Sequence, residues 1–200
     1  MIHADLHIHT IYSSDSFIQP KTLVDLLAAH NFIKVAAITD HDSVRGCHVA
    51  VELASPYPDI LIIPGVEIST YQGDIVVLGT DELPPKPWTP ETVVDFAKSI
   101  DGISIVAHPF RAFGMGERAQ KYKVDAIEVQ NGGSSPAANA QAKELAKSMR
   151  LPGTAGSDAH SVSELFSVHN NIEASLNIDS VLQAIKRGRI SVNVTHGLIP

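Results

Sequence analysis

Two histidines stand two residues apart near the start of the chain, in Asp5-Leu6-His7-Ile8-His9-Thr10. In an extended strand, residues i and i+2 point to the same face. The two rings therefore converge, while Leu6 and Ile8 face the other side. Imidazoles beside a carboxylate are borderline ligands for Zn, Mn or Fe. Histidines and acids recur in Thr39-Asp40-His41-Asp42, Gly65-Val66-Glu67-Ile68-Ser69, Ala107-His108-Pro109 and Gly156-Ser157-Asp158-Ala159-His160. A neutral histidine has little intrinsic reason to recur beside acids at such points, and a shared metal site is a reason.

Each cluster falls at or just past the C-terminal end of an apolar run that reads as a strand. The runs cover 2–7, 35–39, 60–63 (broken by Pro64-Gly65 and resuming over 66–69), 75–78, 103–107, 126–129, 153–155, 171–174 and 190–194. Helical patterns lie between them, from Pro20 onward, over 43–54, 89–100, 136–149 and 178–187. Thr89-Pro90-Glu91 is a strong helix start, with Thr as N-cap and Pro in the first turn. Gln72-Gly73-Asp74 reads as a hairpin turn. Four prolines within residues 81–90 make a rigid surface loop. Strands alternating with helices imply a parallel sheet with right-handed crossovers. A barrel brings five strand ends onto one ring, which an open sheet does not easily do.

At 200 residues, one domain spanning 1–200 is the default. The formal charge of −7 argues against a face for long duplex nucleic acid. The single cysteine, Cys47, excludes an intrachain disulfide and suits a reducing cytoplasm. The N-terminus shows no basic stretch followed by an apolar run, so no signal peptide is expected. No apolar segment approaches ~18 residues, so no membrane span is expected.

Taken in order from residue 2 to about 160, these motifs resemble those of the PHP (polymerase and histidinol phosphatase) family. The resemblance implies a distorted (β/α)7 TIM-like barrel of the α/β class. It also implies two or three divalent metal ions (Mn, Zn or Fe) at the C-terminal face, hydrolysing phosphoesters. Carried over by position, His7, His9, Glu67 and Asp158 hold one metal. Glu67 bridges to a second shared with His108, and Asp15, His41 and His160 hold a third. The chain departs from the family at one point. Members commonly supply a histidine in the hairpin after the Glu motif, where this chain has Tyr71-Gln72-Gly73-Asp74. Asp74 is the candidate substitute, and a turn-forming Asp beside Gly73 is an equal reading.

The resemblance implies a metal-dependent phosphoesterase in which activated water attacks a small phosphomonoester or nucleotide. Glu67, Asp158, His160 and Arg111 are the expected catalytic set. Arg111 would bind phosphate through its planar fork, against an equal reading as a solvated surface residue. One alternative is an exonuclease or phosphodiesterase on short oligonucleotides or bisphosphonucleotides. Another is a non-catalytic binding subunit, as in the PHP-like protein subunit of ribonuclease P. The loops at 10–19, 81–90 and 111–123 are short, which favours a small phosphorylated substrate or the end of a short oligonucleotide.

Glu128, Asn131, Asp5 and Asp40 are expected to support the ligands, the two aspartates by orienting neighbouring rings. Asp42 reads as an N-cap for the helix at Ser43. His30, His48, His169 and His196 read as structural or exposed. Cys47, with no paired base, is not expected to be a nucleophile. The helix at 136–149, with Lys143 and Lys147, reads as a solvated outer face.

Overall fold

The computed structural model describes residues 1–195; His196 lies outside the described residues. The strands are β1 (Ile2–Ile8), β2 (Ile33–Ile38), β3 (Leu61–Thr70), β4 (Gly73–Leu78), β5 (Ile103–Val106), β6 (Ala126–Asn131), β7 (Gly153–Gly156), β8 (Val168–Ile172) and β9 (Ile190–Val194). The helices are α1 (Pro20–Ala29), α2 (Arg45–Ala54), α3 (Pro90–Ser99), α4 (Pro136–Met149) and α5 (Ile178–Lys186). The strands form one sheet in the order β7-β6-β5-β4-β3-β2-β1-β8-β9. Its ends curl toward each other into a nearly closed barrel.

The sheet is mixed rather than parallel. β1–β2, β2–β3, β5–β6 and β6–β7 pair parallel, whereas β3–β4, β4–β5, β1–β8 and β8–β9 pair antiparallel. For β4 the cause is the turn at Tyr71-Gln72. A two-residue connection can join only antiparallel strands, and it leaves β4 reversed against both neighbours. Pro64 does not break β3. The strand changes partner there, pairing with β2 up to Pro64 and with β4 from Gly65 onward.

At the seam one side chain adds to backbone bonds such as the Asp158 amide to the His7 carbonyl (2.8 Å) and the His9 amide to the Ala159 carbonyl (3.1 Å). Fully buried Asn170 donates to the carbonyls of Ala4 (3.0 Å) and Ala155 (2.7 Å) and accepts from the Ala155 amide (2.8 Å). Its amide thus replaces ladder bonds between β7 and β1, satisfying groups that burial would otherwise leave unpaired. This accounts for β8 covering Val168–Ile172, three residues earlier than the 171–174 expected. His169-Asn170-Asn171 is too polar to look like a strand, and tertiary contact overrides that preference.

The apolar side chains sort onto the two faces of the sheet. Ala4, Leu6, Val35, Ala37, Val76 and Leu78 gather with Val181, Leu182 and Ile185 of α5, so that helix packs against the inner core. Ile8, Ile38 and Cys47 lie in the layer under α1 and α2, and Val77, Val106 and Ile127 in the layer that includes α3 and α4 residues. Leu6 and Ile8 therefore do not share a face, contrary to simple alternation. The β1–β2 register jumps from Asp5↔Ala36 to Ile8↔Ile38, one extra residue on β1. That is a β-bulge of the kind that re-aims side chains beside active sites.

At the start of β1, away from His7 and His9, a second aromatic cluster surrounds Phe32. Its ring centroid lies 5.3 Å from that of His3, 4.8 Å from His30 and 5.4 Å from His169. His30 Nδ1 accepts the Ile33 amide at 2.9 Å. His169 Nδ1 pairs with Thr195 Oγ1 at 2.9 Å. His30 and His169 are thus structural, as expected. Burial lowers the pKa of both rings; Lys34 adds to the effect on His30, and His3 and His30 add to it on His169. Below the ordinary histidine value the unfolded chain takes up protons that the folded chain resists. Stability is therefore whole above ~6.5 and declines as pH falls through that value. Groups with a raised pKa, such as His7 and His9, gain stability over the same window, so the contribution of His169 is read as a difference: on taking metal-free protein from about pH 7.5 to about pH 5.5, Tm should change less favourably in the unaltered chain than in His169→Gln. Equal changes in the two proteins would refute the assignment.

Candidate metal centre

His7 lies within the bulge and His9 just past the end of β1, with their Nε2 atoms 3.0 Å apart. Asp5 holds the bulge in place. Its fully buried carboxylate accepts the amides of Ser157 (2.9 Å), Phe166 (3.3 Å) and His7 (3.4 Å). Burial, only partly offset by those bonds, pushes its pKa up to about 6. Asp5 thus orients backbone rather than a ring, unlike the expectation. Asp40 reaches a ring only indirectly: Ser13 Oγ donates to Asp40 at 3.2 Å and lies 3.1 Å from His9 Nδ1. Ser13 also accepts the His41 amide at 2.8 Å. No sequence signal marked this serine.

Glu67, fully buried on β3, is the hub. One carboxylate oxygen lies 3.1 Å from His7 Nε2, 3.2 Å from His9 Nε2 and 3.2 Å from His41 Nδ1. The other lies 2.9 Å from His108 Nε2. Asp158 Oδ1 stands 3.1 Å from His9 Nε2 and 3.4 Å from His7 Nε2. Its Oδ2 takes the guanidinium of Arg111 and the Asn131 amide at 3.2 Å. His160 stacks on His9 with centroids 4.3 Å apart. Asp15 Oδ2 lies 3.3 Å from His160 Nε2 and 3.6 Å from His41 Nε2.

Three groups of convergent donors result: His9, His41 and His160; His7, His9, Glu67 and Asp158; and Glu67, Asp74 and His108. His9 links the first two and Glu67 links the last two. Every residue assigned to a metal from the sequence lies in or beside this row, with Asp15 at its rim. Asp74 joins the row as well, so the hairpin position holds more than a turn residue. Glu128 supports two members, His7 and His108, and Asn131 beside them. It takes His7 Nδ1 at 2.9 Å, the His108 amide at 2.8 Å and Asn131 Nδ2 at 3.0 Å. Such partners fix a ring's orientation and tautomer. Glu164 anchors the His160 amide at 2.8 Å; the Ser161-x-x-Glu164 capping pattern could have revealed it.

The donor chemistry fits divalent metal. Among the described residues, the buried atoms His41 Nδ1 and His108 Nδ1 have no hydrogen-bond partner. His41 Nδ1 faces a Glu67 oxygen at close range without the geometry of a hydrogen bond, an arrangement that a shared cation satisfies. His108 and Asp158 also adopt left-handed backbone angles, with φ of 26° and 53°. Such conformations cost free energy and concentrate at functional sites. Burial opposes charge on His7 and His9, yet Glu67 and Asp158 overcome it, with Glu128 adding to the effect on His7. His7 is lifted well above the ordinary histidine value and His9 to about 9. The same contacts outweigh burial at Glu67 and Asp158 and hold both carboxyls far below their usual range. The acids therefore attract cationic partners in any case, and metal ions must displace those protons on binding.

Other residues fall outside the row. Asp42 does not cap α2, whose N-cap is Val44; its carboxylate accepts the Ser69 amide at 3.0 Å. His48 Nε2 contacts the Asp81 carbonyl at 3.0 Å. Burial pushes the Cys47 thiol up to about 11, which removes it as a nucleophile at neutral pH.

The PHP-associated family PHP_C matches residues 136–190. An uncharacterised protein of Methanocaldococcus jannaschii is 33% identical over 140 residues, which cover 64% of this chain and 81% of that protein. Among solved structures, PsfC of Pseudomonas syringae superposes with a TM-score of 0.73 at 18% identity, covering 97% of this chain and 91% of its own. An amidohydrolase of Chromobacterium violaceum, with bound sulfate and no metal, gives 0.66 at 19% identity over 80% and 88%. A protein of Bifidobacterium adolescentis described as a metal-dependent phosphoesterase gives 0.61 at 17% over 78% and 87%. The solved structures share the fold, and the ordered His and acid motifs agree with the PHP-associated match: the chain belongs to the PHP family.

Proposed function

We propose that this protein is a metal-dependent phosphoesterase acting on a small phosphorylated molecule or the end of a short oligonucleotide. One observation carries the reading: three donor groups share His9 and Glu67, so ions bound there would sit side by side. The phosphoesterase description of the B. adolescentis relative and the sulfate in the C. violaceum relative support it. Mn, Zn and Fe all suit this mixture of imidazole and carboxylate. Bound ions would lower the pKa of a water and offset charge on the phosphoryl oxygens.

The protein's own groups supply the rest. Glu67 and Asp158, buried and ionised, set the negative field that recruits cations. Glu128 and Ser13 keep the His7 and His9 rings aimed inward. The Arg111 side chain is 38% exposed beside Asp158, and donors not used on that carboxylate are open to a phosphate. His160 Nε2 and Asp15 sit at the mouth, with side chains 27% and 51% exposed. There a proton can pass between the leaving oxygen and water. Cys47 with no partner cysteine accords with a cytoplasmic setting, and among the described residues no helix is long and apolar enough to cross a membrane.

Treating the protein with a chelator should abolish hydrolysis of an aryl phosphate or a dinucleotide, and adding Mn²⁺ back should restore it. Unchanged hydrolysis after verified metal removal would reject the proposal. Metal binding without hydrolysis of any phosphomonoester, cyclic nucleotide or dinucleotide would favour the non-catalytic alternative.

A further inference from the structure

The three donor groups differ in chemistry from one end of the row to the other. His9, His41 and His160 present three imidazoles. The middle group has two imidazoles and two carboxylates. Glu67, Asp74 and His108 present one imidazole and two carboxylates. The β3–β4 ladder sets up this last group. Its register is Glu67↔Val76 and Ser69↔Asp74, so Glu67 and Asp74 are diagonal neighbours on one sheet face. Val76, which shares that face with Asp74, belongs to the inner core. The Ala107 amide donates to the Asp74 carbonyl at 3.1 Å, which fixes Asp74 against the residue preceding His108. His108 is itself buried, with an unpartnered Nδ1.

We propose that the Glu67–Asp74–His108 group is a hard-cation position that takes Mn²⁺ or Mg²⁺, while the His9–His41–His160 group takes Zn²⁺ or Fe²⁺. This rests on the reading of the row as a metal centre and adds which metal belongs where. Carboxylate oxygens suit Mg and Mn, whereas imidazoles suit Zn and Fe. Zn²⁺ binds most mixed sites more tightly than Mn²⁺. The difference between groups therefore lies in the Zn-to-Mn affinity ratio, which is lowest where Asp74 supplies a second carboxylate. The loaded protein carries a mixed set of metals when Mn²⁺ is in excess over Zn²⁺. Asp74 decides this, because the other two members of its group are a histidine and a carboxylate shared with the middle position.

The test uses stripped full-length protein given limiting Zn²⁺ and excess Mn²⁺, then desalted. Metal content is read by mass spectrometry and bound Mn²⁺ by paramagnetic resonance, both without substrate. The unaltered chain should retain about one Mn²⁺ beside its Zn²⁺. Asp74→Asn, nearly isosteric, should lose that Mn²⁺ and keep the Zn²⁺. Asp74→His should exchange it for Zn²⁺ when Zn²⁺ is no longer limiting. His41→Ala should do the reverse, losing Zn²⁺ and keeping Mn²⁺. Unchanged Mn²⁺ in Asp74→Asn, or equal loss of both metals in every variant, overturns the proposal. Circular dichroism of each variant separates metal loss from unfolding. A chain with the split metal content but no phosphoester hydrolysis would reject only the proposed activity. A hydrolytic chain whose metals ignore Asp74 would reject only this inference.

Discussion

Glu67→Gln is expected to remove both bound metal and hydrolysis. The substitution keeps the side chain's shape and removes its charge. Glu67 is fully buried and lies within 3.2 Å of four imidazoles on three separate segments. It also belongs to two of the three donor groups. A glutamine amide offers one oxygen and points an NH2 at whatever replaced the other. The loss in kcat/KM should exceed the ~10–100-fold typical of a group that only supports a ligand. The metal-free variant should keep its fold, because the surrounding imidazoles can stay neutral. Added metal should no longer raise its Tm. For comparison, a ligand at 100 times its Kd stabilises a protein by about 2.7 kcal/mol. Metal titration followed by thermal melting checks both halves. A Glu67→Gln protein with full metal content and activity would contradict the assignment of Glu67 as the hub.

Gly156→Ala should damage the same centre through packing alone. Gly156 ends β7 where the chain passes against β1. A Cβ there would collide with the Cβ of His7 and come within 2.5 Å of Glu128 Oε1. Neither neighbour can yield cheaply. His7 is held between Glu128 and Glu67, and Glu128 also carries the His108 amide. Overpacking of this kind costs about 1–3 kcal/mol, or about 2–4 °C of Tm per kcal/mol for a chain of this size. Turning the His7 ring aside should also weaken metal binding in the middle group more than in the His41–His160 group. A Gly156→Ala protein with normal Tm and metal affinity would show that β1 and β7 are not packed this closely.

Much of the centre is legible in the linear chain because its signals are local. Strand ends carrying His and acid appear as short motifs, and their order resembles that of one family. Helix α4 is legible to the residue, since Ser135 caps it, Pro136 opens it and Arg150 ends it in a left-handed turn. Three features are not legible. The bulge in β1 separates Leu6 from Ile8, and a plain alternation of apolar residues hides it. Strand β8 is masked by His169-Asn170-Asn171, whose middle side chain is spent on closing the barrel. The place of Asp74 depends on the hairpin register, and a shift of one residue would turn it to the opposite face.

The amino-acid sequence by itself determines which side chains can serve as ligands and the order in which they follow one another. It also sets most of them at or just past the end of an apolar strand, because residue type and alternation are properties of neighbours along the chain. Only the tertiary structure decides which of them meet. His7 finds Glu128 across 121 residues, and Asp5 holds Ser157 across 152. Such contacts depend on sheet register, one bulge and the closing seam. Each is set by packing between distant segments, which local propensity does not encode.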